Sequence, residues 1–131
     1  MTEITKTPQS LAFELIKKQI YDKLGINIFA GPLPKDGGVT AEINNGINKG
    51  RYLNKQHGKE QLTVLFLCKN ASQNIAYDTL NAIGNMLNTL EPIGTGALYV
   101  PSVEVKSGAG LVGNDGGYCI FSMIVGINII F

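Results

Sequence analysis

The chain has 131 residues, of which 44% are hydrophobic and 16% charged, and its formal net charge is +1. This length suits a single core, so the sequence predicts one domain over residues 1–131. The near-neutral charge argues against a dedicated nucleic-acid-binding protein. The sequence opens without a secretory leader, and its apolar end is shorter than the roughly 20 residues of a membrane span. We therefore expect a cytoplasmic protein without a membrane partner.

The first predicted element is an amphipathic helix. Thr7 and Pro8 form a favourable helix start, Gly25 is a natural stop, and apolar residues recur between them at helical spacing. A short strand over residues 26–30 is expected next. A turn rich in glycine and proline then leads to an alternating strand over residues 39–43.

Residues 45–60 are polar and rich in glycine and asparagine, which predicts a long excursion from the sheet. Its cations Arg51, Lys55 and Lys59 are candidate interaction residues. An acidic protein surface, DNA and plain solvent are the three alternatives for what they meet. The only histidine, His57, lies in the same stretch without a cluster of cysteines or carboxylates beside it.

The clearest predicted strand covers residues 61–69. Both of its faces are apolar, so both are expected to be covered at least in part. A second helix follows, for which Asn70 is the expected N-cap, with Gln73 in the capping-box position. One stripe of this helix is apolar, and another is almost uncharged. This second stripe is either an ordinary solvated face or a contact surface, with the candidate contacts Asn81, Asn85 and Asn88.

A long β-hairpin is predicted at the C-terminus, with strands over residues 99–106 and 118–131 joined by a glycine-rich loop. Asn114 and Asp115 in that loop are further candidate contacts. A straight strand over 118–131 would be about 46 Å long, whereas the radius of gyration of such a domain is about 14 Å. The strand is therefore expected either to bend at Gly126 or to overhang the domain and be covered by a neighbouring copy.

These elements predict an α+β fold: a mainly antiparallel sheet with two helices packed on it and a long C-terminal β-hairpin. Residues 108–113 match GxGxxG, but a turn and a strand follow them, whereas a dinucleotide site needs a helix there. Cys68 and Cys119 lie in apolar runs and are interpreted as structural thiols. The sequence therefore predicts no catalytic residue, no cofactor and no metal site.

Several stretches together resemble the tail terminator, or minor capsid, proteins of tailed phages and phage-tail-like particles. They are LAFELIKKQIYDKLGINIF, INNGINKGRY, TVLFLCKNASQNIAYDTLNAIGNML and LVGNDGGYCIFSMIVGINI, and they cover most of the chain. The resemblance implies a subunit without enzymatic activity in a ring, typically a hexamer, that caps the tail tube and stops its elongation. The ring would also join a head–tail connector or collar protein, and DNA would pass through its lumen without sequence-specific binding. Assembly would take place in the cytoplasm of a bacterial host, and the product would reside in the virion tail.

Other functions remain open at this point. Another head–tail connector or tail completion protein would share the same requirements. A small ligand-binding regulatory domain would be a monomer or dimer that a small molecule stabilises. A small enzyme would need a concave pocket that holds an acid or base with a shifted pKa.

Overall fold

The computed structural model describes residues 7–29, 31–44, 59–96 and 98–131. Within these ranges a six-stranded sheet carries two α-helices on one face, which confirms the predicted α+β fold. The strand order is β1-β2-β3-β6-β5-β4, and only the β1–β2 pair is parallel. The elements are α1 (Pro8–Leu24), β1 (Ile28–Phe29), β2 (Gly38–Ile43), β3 (Lys59–Asn70), α2 (Gln73–Asn88), β4 (Ile93–Thr95), β5 (Leu98–Asp115) and β6 (Tyr118–Ile130).

Helix α1 begins and ends as predicted. The Thr7 side chain accepts a hydrogen bond from the Ser10 backbone N–H at 3.2 Å, and Pro8 occupies the first turn. At the other end, Gly25 adopts a left-handed conformation with φ of 68°, and its N–H donates to the Tyr21 carbonyl at 2.8 Å. Glycine takes this conformation without the steric cost that a Cβ would add.

Helix α2 starts differently from the prediction. Its N-cap is Ser72, whose Oγ accepts from the Ile75 N–H at 3.4 Å, so the expectation that Asn70 is the cap was wrong. Asn70 is instead the last residue of β3, and its Oδ1 accepts from the Ser72 N–H at 2.9 Å. An asparagine that bonds the backbone two residues ahead stabilises a turn, and this turn leads the chain from β3 into α2.

The core fills the space between the sheet and the two helices. Alternate residues of β3 and β6 point toward the helices and are buried, because successive side chains of a strand point to opposite faces. Fully burying each large aliphatic or aromatic side chain contributes roughly 1.5–3 kcal/mol. The buried set contains Leu62, Val64, Phe66 and Cys68 of β3, Phe121, Met123, Val125, Ile127 and Ile129 of β6, Ala76, Leu80, Ile83 and Leu87 of α2, and Ala12, Ile16 and Ile20 of α1.

Strand β6 lies inside the sheet, between β3 and β5. It pairs with β3 from Cys119 to Ile130, and with β5 from Tyr118 to Ile130. Of the two alternatives, the overhang was therefore wrong, because β3 and β5 are long enough to cover both edges of β6 within one chain. Gly126 does not interrupt the pairing, since it lies opposite Thr63 on one side and Glu104 on the other.

The glycine-rich segment 107–113, predicted as a loop, belongs to β5. Four register shifts against β6 accommodate the extra residues of β5, which has 18 residues against 13 in β6. Such bulges increase the local twist of a strand. The turn itself is formed by Gly116 and Gly117, whose φ angles of 55° and 89° favour glycine.

Candidate interaction surfaces

The almost uncharged stripe of α2 faces away from the core. Asn85 and Asn88 are exposed and Asn81 is half-buried. The Oδ1 of Asn88 accepts a hydrogen bond from the Val105 backbone N–H at 3.2 Å. This bond satisfies one donor on the outer side of β5, so Asn88 has a role within the chain in addition to its predicted place on the surface.

Asn114 and Asp115 lie at the hairpin end of the sheet. Asn114 is exposed. The Oδ2 of Asp115 lies 3.0 Å from the Nζ of Lys69, whose side chain is only 8% exposed. The Lys69 ammonium also lies 5.2 Å from the centre of the Tyr118 ring. Because a buried ammonium needs a counter-charge, Asp115 serves first as the internal partner of Lys69.

We expect Asp115→Asn to lower the free energy of unfolding by about 1–2 kcal/mol, because the Lys69 ammonium loses its counter-charge. Urea unfolding at neutral pH measures this change. Asp78→Asn is the matched control, since Asp78 is exposed on α2 and surface changes cost less than about 0.5 kcal/mol. Equal stability of the two variants would contradict the role given to Asp115.

The end of the sheet near Lys59 carries a network of polar side chains. The amide nitrogen of Gln61 donates to Glu104 at 2.7 Å and to Asn128 at 3.1 Å, and Asn128 donates to Ser102 at 2.9 Å. Hydrogen bonds from Lys106 and Gln61 lower the pKa of Glu104 below its ordinary value. A cavity of about 370 Å³ lies beside this network, and the exposed Lys59 lines it. The other two predicted cations, Arg51 and Lys55, lie outside the described residues, as does His57.

The described ranges contain no group of three or more histidine, cysteine, aspartate or glutamate side chains that could hold a metal ion. Neither described helix is long and apolar enough to cross a membrane. Burial raises the pKa of the Cys68 thiol, and a hydrogen bond with Thr79 opposes this rise. Cys68 therefore behaves as a packing residue, because a thiol with a raised pKa is a poor nucleophile.

Iodoacetamide should modify Cys119 faster than Cys68 in the folded protein. Cys68 is 2% exposed and has the raised pKa, whereas Cys119 is partly exposed. Mass spectrometry of the modified peptides measures the modification rates of the two cysteines. Equal rates in the folded protein would contradict the burial of Cys68, and urea should make the two rates equal.

The raised pKa of Cys68 also has a consequence for stability. As the pH rises, the thiol loses its proton in the unfolded chain before it does so in the folded protein, so the free energy of unfolding should fall above about pH 8.5.

One face of the sheet carries no helix among the described residues. This open face consists of the residues of β2, β3, β6 and β5 that point away from the core. Residues opposite each other on paired strands share a face, so the register defines three rows across it. The first row contains Glu42, Leu65, Ile124 and Ser107; the second contains Thr40, Leu67, Ser122 and Gly110; the third contains Gly38, Lys69, Ile120 and Gly113.

The aliphatic side chains at the centre of the open face are half-buried. Their strand neighbours shield them in part. Toward β2 the face is also covered within the chain, since Thr40 and Lys69 are buried and Phe29 and Pro34 lie over Gly38. The cover predicted for the second face of β3 is therefore only partial. Aliphatic side chains at the centre with polar side chains around them are the arrangement that protein interfaces have.

Both sides of the sheet also end in exposed apolar residues. On the β5 side, Leu111 is 52% and Val112 is 61% exposed. Leu111 lies opposite Phe121, whose ring packs edge-on against the half-exposed Tyr77 at 5.9 Å. On the β2 side, Ile43 is 41% exposed at the end of its strand. These two lateral edges are on opposite sides of the molecule, because β5 and β2 flank the central pair β3–β6.

No family model matches the chain, and no curated protein matches it either.

Proposed function

We propose that this protein is a structural subunit of a ring that caps a phage tail tube. The ring, a hexamer by the resemblance, would stop elongation of the tube and provide the surface for a head–tail connector or collar protein. The subunit would act by shape complementarity and without turnover. It would be assembled in the bacterial cytoplasm and reside in the tail of a virion or tail-like particle.

The observation that carries this proposal is the pair of exposed apolar edges. Leu111 and Val112 lie on one side of the sheet, and Ile43 lies on the other. A contact between two different patches is heterologous, and repeated copies of such a contact close into a ring when the rotation is suitable. Two unlike apolar edges on opposite sides of one subunit meet this requirement.

The contact between neighbouring subunits would depend on side chains more than on a continuous sheet. Beyond Val100, no described strand pairs with the outer side of β5. Pro101 lacks a backbone donor there, and the four register shifts bend the strand. Leu111 and Val112 are therefore the expected centre of the contact on this side, with the exposed Ile43 at the end of β2 as its complement in the next subunit.

The polar candidates lie outside these edges and suit contacts with the tube or the connector. In the described chain they are Lys59 at the far end of the sheet, Asn81 and Asn85 on α2, and Asn114 at the hairpin. Amides lose water more readily than charged groups, so the three asparagines suit the buried part of such a contact, whereas Lys59 suits its polar rim. Arg51 and Lys55 remain candidates from the sequence for the lumen, where DNA would pass, or for the tube.

Negative-stain images of short tail tubes mixed with the purified protein test this proposal. Annuli and tubes with capped ends are expected, and capped tubes should not grow when more tube protein is added. A variant with Leu111→Asp should leave the tubes open and growing. Tubes that elongate equally with and without the wild-type protein would contradict the proposal.

A further inference from the structure

We propose that the open face of the sheet is an interface between two copies of this chain, related by a two-fold axis. The axis lies in the interface, parallel to the strands and above the line between β3 and β6. This contact goes beyond the ring proposed above and does not depend on it, because it uses the face of the sheet and leaves both lateral edges free.

Glycines on the open face give the first argument for a close partner. A Cβ built on Gly110 or Gly113 would meet no atom of this chain within 4 Å, and neither residue has a positive φ. Neither backbone conformation nor packing within the subunit therefore requires glycine at these positions. Glycine weakens a strand, and inside strands it often marks a site where a group of another molecule approaches closely.

Under this two-fold operation each row of the open face meets the same row of the second copy, and the side chains of the two rows are complementary. Strand β3 of one copy would lie across from β6 of the other, and β2 across from β5. Leu67 would then face the small Ser122 of the second copy. Leu65 and Ile124 would face each other across the centre of the interface, at the separation of about 10 Å that stacked sheets keep.

Phe29 supplies the side chain that fills the space above the glycines. Its ring lies over Gly38, where an added Cβ would approach the Phe29 Cε2 to 3.1 Å. The ring is 43% exposed. Because Gly38 and Gly113 both belong to the third row, the two-fold axis places each Phe29 ring above Gly113 of the other copy. The exposed Phe29 ring of one copy would thus lie over Gly113 of the other copy, where no side chain stands in its way.

Charges at the border of the open face are also complementary. Glu42 is exposed at the β2 end of the first row. On the β5 side, the Lys106 Cε would lie 3.0 Å from a Cβ on Gly126, so the lysine lies across the open face. The two-fold axis brings Glu42 of each copy toward Lys106 of the other, although Lys106 also pairs with Glu104 at 3.2 Å within its own chain. The occupant that fits this face is therefore a second copy.

Sedimentation equilibrium of a Val112→Asp variant, whose lateral edge is blocked, tests the two-fold contact apart from the ring. This variant should be a dimer. Adding Gly110→Thr should weaken the dimer at least about thirtyfold, since two threonines enter one packed interface. Gly96→Thr is the matched control, because Gly96 also has open space around it and lies away from the open face.

The folded subunit should tolerate Gly110→Thr without loss of stability, since threonine favours strands. A monomeric Val112→Asp variant, or a dimer unaffected by Gly110→Thr, would overturn the two-fold contact. A wild-type protein that never exceeds a dimer would instead contradict the ring and leave this contact standing. The two proposals can therefore fail separately.

A charge reversal tests the orientation of the two copies. Glu42→Lys and Lys106→Glu should each weaken the dimer about three- to tenfold, and the double variant should regain most of the loss. The same measurement at high salt should reduce the differences between these variants. If the loss of dimerisation free energy in the double variant equals the sum of the losses in the two single variants, the proposed orientation is overturned.

Discussion

Replacing Phe66 with alanine should lower the free energy of unfolding by about 3–5 kcal/mol. Phe66 is the largest fully buried side chain among the described residues. It lies in β3, between the sheet partners β2 and β6 and beneath the helices. Its removal leaves a cavity that the tightly packed neighbours cannot fill. Chemical denaturation monitored by circular dichroism measures the change.

Leu65→Ala is the matched control for this prediction, because Leu65 is adjacent in β3 and points to the open face. It is half-buried, so we expect a cost below about 1.5 kcal/mol in a monomeric variant. Comparable losses for the two substitutions would show that both faces of β3 are covered within one subunit. That result would contradict the open face.

Val112→Asp should abolish every assembly larger than a dimer. The side chain is 61% exposed at the outer side of β5, and a carboxylate there would lose its water in an apolar contact. Folding should change little, by about 1 kcal/mol or less, because the position is exposed and lies at a bulge. Size-exclusion chromatography with light scattering measures the assembly, and thermal unfolding measures the stability.

Val112→Thr is the control with nearly the same shape and no charge. It should retain the assembly, with weaker affinity. If both variants assemble as the wild type does, the β5 edge does not form the contact between subunits. If both fail and also unfold, an effect on the fold explains the loss, which would contradict the small stability change expected for Val112→Asp.

The local features of the fold could be predicted because short-range chemistry fixes them. Thr7, Pro8 and Gly25 specify the ends of α1 through caps that depend only on neighbouring residues. The buried stripes of β3 and α2 follow from periods of two and 3.6 residues.

The long-range features could not be predicted from the same signals. Glycines in residues 107–113 favour a loop by local preference, but pairing with β6 along the sheet makes them a strand. Nothing local indicates that β6 lies between β3 and β5, because strand order is set by the whole fold. Short β4 was not predicted, and the expected strand over 26–30 is reduced to β1.

The candidate surface residues divide in a similar way. Exposure of Asn85 and Asn114 follows from their positions in the helix stripe and the hairpin turn. The internal roles of Asn88 and Asp115 depend on partners 17 and 46 residues away in the chain, so the sequence did not reveal them. The exposed apolar edges were not predicted, because the strand order of the sheet decides which strands lie at its edges.

Self-association is the property on which both proposals depend, and sedimentation velocity of the wild-type chain measures it directly. With 14.1 kDa subunits, a discrete closed species of several subunits is expected, and its share should grow with protein concentration. A single 14.1 kDa species at every concentration, both alone and with tail tubes, would contradict an assembly function.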